Sequence, residues 1–402
     1  MRRVAITGAG TINALGHDVP STLAAMREGR CGIGPLDLRD ADRLQIRIGA
    51  QVKGFDPAAR FDRQQLSLYD RFTQFAVIAA DEAVAQSGLC FDGKLGLRAG
   101  VLLGTSGGGL STVDDSYRAV FEEGKNRVHP FTVPRLMANA AASAVSMEHG
   151  LRGPALTVST ACASSNHAMA LALQMVRSGM ADVMLAGGSE AMLCFGGIKA
   201  WEGLRVMSPD ACRPFSATRS GMVEGEGAAV FVFEEWEHAR ARGAEILAEV
   251  AGFGLSADAQ DIVLPSADGA ARAMRAALQD ASLAPVDVAY VNAHGTGTAA
   301  NDRTECAAIA QAFGNHVGEL MVSSTKSMHG HVIGGTGAVE LLACLMALRE
   351  GVVAPTIGYE SPDPHCPLDV VPNAAREAKV GACLSNAFAF GGLNAVLALR
   401  AA

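Results

Sequence analysis

The sequence predicts an α/β protein with largely buried strands. Short β-branched or apolar runs alternate with Ala-rich amphipathic runs along the whole chain. The same strand–helix rhythm recurs on either side of a charged stretch at 235–245, which suggests two related halves, 1–240 and 241–402. At 402 residues, 49% hydrophobic and 18% charged, the chain is long for a single core and has a globular composition.

Runs rich in Val, Ile, Leu and small residues place strands at 3–7, 99–104, 155–161, 182–187, 228–234, 246–254, 288–292, 320–324, 381–385 and 395–400. Apolar residues at three- and four-residue spacing place helices at 20–28, 72–87, 163–178, 269–281, 303–313 and 335–349. The junction at 155–178 is the most informative. Residues 155–161 read as a short buried strand. Residues 163–178 then read as a helix, with Ala168, Leu171, Ala172, Met175 and Val176 on one face and Gly179 as its stop. Cys162 lies between them, at a helix mouth whose free N–H groups favour an anion; a thiol there can ionise near neutral pH and act as a nucleophile, although most buried cysteines are inert core filler.

Bulk features exclude several classes. The formal charge is −8 and no Lys/Arg-rich block stands out, so nucleic acid is not an expected partner. Nine cysteines are scattered with no Cys-x-x-Cys pair, which fits a reducing compartment rather than a disulfide framework. The N-terminus has too short an apolar run for a signal peptide, and no run reaches membrane-spanning length. A soluble, cytoplasmic protein is expected.

Two glycine-rich stretches resemble cofactor motifs only superficially. In Val4-Ala-Ile-Thr-Gly-Ala-Gly-Thr-Ile-Asn13 the third glycine position is Asn13 and no acidic partner follows, so a turn after a core strand is expected rather than a dinucleotide site. Gly104-Thr-Ser-Gly-Gly-Gly-Leu110 lacks a phosphate-binding lysine and reads as a close backbone approach or a pocket floor. By contrast, Val288-Ala-Tyr-Val-Asn-Ala-His-Gly-Thr-Gly-Thr298 puts His294 at the C-terminal end of a buried strand, where α/β sheets build sites. A second strand end, after Ser323–Ser324, leads into a loop with Lys326, His329 and His331 and then a helix carrying Glu340. A metal held by His294, His329 and His331 is the obvious rival, but Lys326 beside them would repel a cation. In Leu384-Ser-Asn-Ala-Phe-Ala-Phe-Gly-Gly-Leu-Asn394 the two phenylalanines either gate an apolar tunnel or pack the core.

Taken in order, the elbow cysteine, His-Gly-Thr-Gly-Thr, Lys-Ser-Met-x-Gly-His and Phe-x-Phe-Gly-Gly resemble the β-ketoacyl-acyl-carrier-protein synthases, closest to the KAS II-like branch of the thiolase superfamily. Arg213-Pro-Phe and Gly225-Glu-Gly-Ala-Ala-Val-Phe-Val-Phe-Glu-Glu235 resemble the family's central block, and the likeness spans essentially the whole chain. The resemblance implies a thiolase-like duplicated five-layer α-β-α-β-α fold and a dimer, either a homodimer or a heterodimer with a chain-length-factor-like subunit. It implies that Cys162 accepts the acyl group, and that His294 and His331 bind malonyl thioester and assist its decarboxylation. Lys326 would support the histidine loop and Glu340 would anchor it. Phe390 would gate the site, its N–H completing an oxyanion hole with that of Cys162. Thr296 and Thr298 would contact the pantetheine arm of an acyl carrier protein, and Arg127 and Arg205 the carrier itself.

That chemistry needs these residue types. A cysteine thioester is a good electrophile for ping-pong carbon–carbon bond formation. Two neutral histidine N–H donors stabilise an enolate by about 3–4 kcal/mol each in a dry site. No metal or organic cofactor is required. Departures from the family pattern are His329, Ala389 between the phenylalanines, Leu393 in place of threonine, and a basic-poor stretch at Phe61–Arg71. The last favours a specialised type II polyketide or polyene system over housekeeping fatty-acid synthesis. A biosynthetic thiolase would need a second catalytic cysteine where Phe390 stands, with Cys383 lying before it on a strand. An inactive chain-length factor would lack Cys162.

Overall fold

A computed structural model describes residues 1–402. Ten strands form the scaffold: β1 (Val4–Asn13), β2 (Ala99–Gly104), β3 (Ala155–Val158), β4 (Val183–Glu190), β5 (Gly227–Glu235), β6 (Ala248–Ala257), β7 (Tyr290–Asn292), β8 (Met321–Ser323), β9 (Ala382–Ala389) and β10 (Leu393–Arg400). Their spatial order is β8-β7-β9-β10-β6-β1-β5-β4-β2-β3. The order is palindromic by role: β3-β2-β4-β5-β1 on one side matches β8-β7-β9-β10-β6 on the other. In each set the first three strands run parallel and the last two pair antiparallel. The two sets meet only through Ala5↔Glu249 and Ile6↔Ala248.

Five long helices complete the layers: α1 (Arg71–Ser87), α2 (Ser164–Arg177), α3 (Ala267–Asp280), α4 (Ala299–Phe313) and α5 (Thr336–Glu350). Helix α1 covers the outer face of β1, β5 and β4, while α3 lies outside β6 and β10 and packs against α4. Helices α2 and α5 touch strands of both sets and fill the middle layer. Helix α5 is buried from Thr336 to Ala347, as its all-round apolar sequence requires. This is the duplicated five-layer thiolase-like arrangement. The sequence duplicates a packing device too: a Cβ on Gly10 would stand 2.0 Å from Ala79 O of α1, and one on Gly254 2.0 Å from Ala273 O of α3. Each outer helix thus lies against a bare strand backbone.

Three expectations need correction. The turn after residue 7 does not occur; β1 continues to Asn13, and the Thr-Gly-Ala-Gly run is the strand interior on which α1 sits. Strand β3 is not buried but is an edge strand, shorter than expected, with Leu156 half exposed. Helices at Leu110–Phe121, Ala140–His149 and Phe195–Leu204 were not anticipated. No helix is long and apolar enough to cross a membrane.

Candidate active site

Beyond β3 the chain reverses through Ala161, a non-glycine residue at φ +47°, and enters α2 at Ser164. Ser164 fixes this elbow: its hydroxyl accepts from Thr160 N–H at 2.8 Å and donates to Ala161 O at 2.7 Å. Cys162 is thereby presented at the base of a pocket, 6% exposed. The expected ionised thiol is not the resting state. Burial pushes it up to about 12, and the nearby Lys326 charge only partly opposes this. Helix α2 begins two residues after Cys162. The N–H groups of Cys162 and Phe390 donate to no protein acceptor, as an oxyanion hole requires.

The chain leaves β7 through Ala293 to His294. Glu305, on α4, accepts from the N–H of His294 at 2.8 Å and of Gly295 at 2.7 Å, and is itself held by Asn386 at 3.1 Å. The loop after β8 supplies the second ring. His331 N–H donates to Val223 O at 2.7 Å, and His331 Nδ1 accepts from Ile333 N–H at 3.1 Å. A donor facing Nδ1 leaves the ring proton on Nε2, which has no protein partner. The two imidazoles are edge-to-face with centroids 5.4 Å apart, and Phe388 packs on His294 at 6.1 Å. Burial, reinforced by Lys326, holds both rings well below the ordinary histidine range, so both are neutral at physiological pH.

The Cys162 thiol and one nitrogen of each histidine lie within 4.8 Å of one another. His329 is not part of this group. It is fully buried, bonded to Thr325 Oγ1 at 2.9 Å, so the histidine trio of the metal reading does not assemble. Cys162 occupies the third place instead, and the Nε2–H of His331 is a donor rather than a ligand. Behind the rings, Lys326 Nζ and Glu340 Oε1 form an ion pair at 2.5 Å, with both side chains fully buried. Burial lifts Glu340 to about 7 despite the lysine.

The pocket opens past Thr296 and Thr298, whose hydroxyls bond each other at 2.9 Å, and past Phe390. Phe390 faces Trp201 at 6.0 Å, and Val206, Met222 and Ala389 complete apolar walls. Ala389 is the last ladder residue of β9, paired with Leu393, so the tight turn at 390–392 starts from a fixed register. Arg205 is exposed beside pocket-lining Val206; Arg127 is exposed on a loop that contributes nothing to the pocket wall. In the basic-poor stretch Arg71 turns inward to Glu226, and just before it Arg60 pairs with Asp81.

Sequence reasoning missed the acids that hold the site. Glu305, Asp302 and Glu190 are buried and accept backbone N–H groups from the loops at 294–297, 215, 106–107 and 334. The Gly104–Leu110 run therefore gives the N–H groups of Ser106 and Gly107 to Glu190, not to a phosphate. An acidic residue inside an apolar strand, as in Leu185-Ala-Gly-Gly-Ser-Glu190, was the available signal.

A buried cysteine, two neutral imidazoles and two free N–H donors at the base of an apolar pocket in this fold fit a thioester-condensing enzyme. Comparison with known proteins gives the family. The β-ketoacyl synthase N-terminal domain matches residues 1–239 and the C-terminal domain residues 247–360. The chain belongs to the β-ketoacyl synthase family and is an acyltransferase of the 3-oxoacyl-acyl-carrier-protein synthase type. It is 53% identical to nodulation protein E of Rhizobium sp. (strain N33), over 99% of both chains. It is 41% identical to 3-oxoacyl-[acyl-carrier-protein] synthase 2 of Synechocystis sp., over 99% of this chain and 98% of that one. Among solved structures, the ishigamide ketosynthase/chain length factor superposes with a TM-score of 0.95 at 38% identity, covering 100% of this chain and 99% of that one. A type II ketosynthase solved with its acyl-carrier protein gives 0.91 at 30% identity, covering 100% and 99%.

Proposed function

We propose that the chain catalyses decarboxylative Claisen condensation of an acyl group on Cys162 with malonyl-acyl-carrier protein in a specialised type II polyketide, polyene or fatty-acid pathway. The convergence of the Cys162, His294 and His331 ligand atoms within 4.8 Å carries the reading. In the first half-reaction the thiol passes its proton to a neutral imidazole and attacks the carrier thioester; the carrier leaves as a thiol and the acyl group stays on sulfur. In the second, malonyl-carrier loses CO2. The imidazole N–H groups hold the resulting enolate oxygen, and the enolate carbon attacks the acyl-cysteine carbonyl. The oxyanion rests on the N–H groups of Cys162 and Phe390 until Cys162 departs and regains a proton.

In this reading Lys326 and Glu340 keep the rings neutral and fixed, Thr296 and Thr298 receive the pantetheine arm, Phe390 gates the mouth, and Arg127 and Arg205 meet the acidic carrier. Residues 1–240 and 241–402 act as two thiolase-like halves, one carrying the nucleophile and the other the histidines. The open edge of β3, with half-exposed Leu156, supports assembly as a dimer with a second copy or a chain-length-factor-like subunit. The specialised pathway is favoured by the greater identity to a nodulation protein than to synthase 2, and by the inward turn of Arg71.

The test is release of CO2 from malonyl-carrier by the purified protein, with intact-mass analysis of carrier-bound products. A 3-oxoacyl product with stoichiometric CO2 is expected. Cys162→Ala should fold but carry no covalent acyl group; an acyl adduct on that variant would refute the assignment.

A further inference from the structure

We infer that Glu190 is a positioning residue for the malonyl half-reaction, locking the loop after His331 so that the Nε2–H of that ring faces the substrate. The inference rests on the role proposed for His331 and extends it to a residue that touches neither substrate nor thiol.

Glu190 ends β4 and is fully buried. Its Oε1 accepts from Thr105 Oγ1–H at 2.9 Å and Gly107 N–H at 3.1 Å; its Oε2 accepts from Ser106 N–H at 2.7 Å and Gly334 N–H at 3.0 Å. Three donors belong to the loop after β2, and the fourth to the loop after His331. One carboxylate therefore ties the catalytic loop to the opposite strand set.

The tie matters because of Ile333. This β-branched residue is held at φ +42°, a conformation such residues rarely adopt and that persists only when neighbours over-determine it. In that conformation its N–H reaches His331 Nδ1 at 3.1 Å and fixes the tautomer. Gly334, bonded to Glu190, is the next residue along. Without the tie, Ile333 relaxes to negative φ, Nδ1 loses its donor, and the ring proton is free to move there. Nε2 then becomes an acceptor that cannot hold an enolate oxygen. The Cys162 elbow is fixed by Ser164 and not by Glu190, and the Glu190 charge acts on the thiol only by raising its pKa, so a neutral replacement does not hinder acylation.

The test is Glu190→Gln, which keeps the shape but replaces one acceptor oxygen with an NH2 that must face two donors. Acylation of Cys162, followed by intact mass, should stay within about twofold, while CO2 release from malonyl-carrier should fall at least tenfold. With 15N-labelled histidine, the His331 signal, assigned by its loss in His331→Ala, should leave the Nε2–H pattern. Unchanged decarboxylation, an unchanged tautomer, or equal loss of both half-reactions would overturn the inference. Should the glutamine variant not fold, Gly334→Ala opens the same joint: its Cβ would stand 2.4 Å from Ser106 N and 2.6 Å from Glu190 Oε2, and the same split is expected. His331→Ala separates the two readings. Normal decarboxylation in that variant removes the role of His331 itself, whatever Glu190 does.

Discussion

Replacing Glu340 with leucine should be among the most destabilising single changes near the site. Lys326 and Glu340 are both fully buried and paired at 2.5 Å, so the leucine variant strands an ammonium group in a dry core. Breaking such a pair from one side costs about 3–5 kcal/mol, mostly as the penalty of the charge left behind. Unfolding entropy is about 2.1 cal/mol/K per residue near 60 °C. For a chain of 402 residues that is about 0.8 kcal/mol/K, so the midpoint should fall by about 4–6 °C. Calorimetry at pH 8 is the assay, because Glu340 titrates near 7 and is then ionised in the parent. The double variant Lys326→Met/Glu340→Leu removes both charges and should recover to within about 2 °C of the parent. Glu305, which Lys326 also faces, keeps the His294, Gly295 and Asn386 donors in that variant. A single variant no less stable than the double would refute the argument that an unpaired buried charge dominates.

Gly337→Ala places a Cβ 2.0 Å from Asn166 Oδ1, where α5 crosses α2. It should cost about 1–3 kcal/mol by overpacking and lower the condensation rate by more than the loss of folded protein explains; activity per folded molecule, from parallel assays and calorimetry, decides. His329→Gln tests the buried histidine that stands apart from Cys162, His294 and His331. Burial lowers its pKa to about 3, against about 6.5 in the unfolded chain. Its contribution to stability is complete above pH ~6.5 and is lost as pH falls towards 3, because the unfolded chain takes the proton first. Between pH 6 and 4 the variant's stability should therefore fall less steeply, by about 1.4 kcal/mol per pH unit; parallel urea-unfolding curves would contradict the buried neutral ring.

The fold was legible wherever local pattern and burial agree. Strand β2 matches its expected range at 99–104, and α2 and α5 differ from theirs by one residue at each end. Strand β9 runs on to Ala389 rather than stopping at 385, because Phe388 and Ala389 pair with Asn394 and Leu393; the hairpin that settles this is a partner choice, not a local preference. The helix Leu110–Phe121 escaped notice because half-exposed and acidic residues, Asp114 and Asp115 among them, break its apolar stripe. Edge position hid the exposure of β3, since Ala-Leu-Thr-Val reads the same at an edge as at a centre. That Cys162, His294 and His331 stand at strand ends was legible from their motifs, and the structure brings the three together, but burial opposes the ionised thiol that a helix mouth would favour. Glu190 left one trace, an acid closing an apolar strand, but what it and Glu305 bind is backbone, and backbone donors carry no sequence signal.

The crossing of α2 and α5 has a consequence for how such a chain can diversify. Ala338 N–H reaches Ser165 Oγ at 3.2 Å, and Gly337 lies bare against Asn166, a few residues beyond Cys162 on one helix and beyond His331 on the other. The spacing between sulfur and imidazole is thus metered by small residues deep in the interior. The apolar side chains of the pocket wall, such as Trp201, Val206 and Met222, belong to segments that do not set this gauge. The pocket wall can therefore change its shape by drift while the sulfur and the two imidazoles keep a constant calibre.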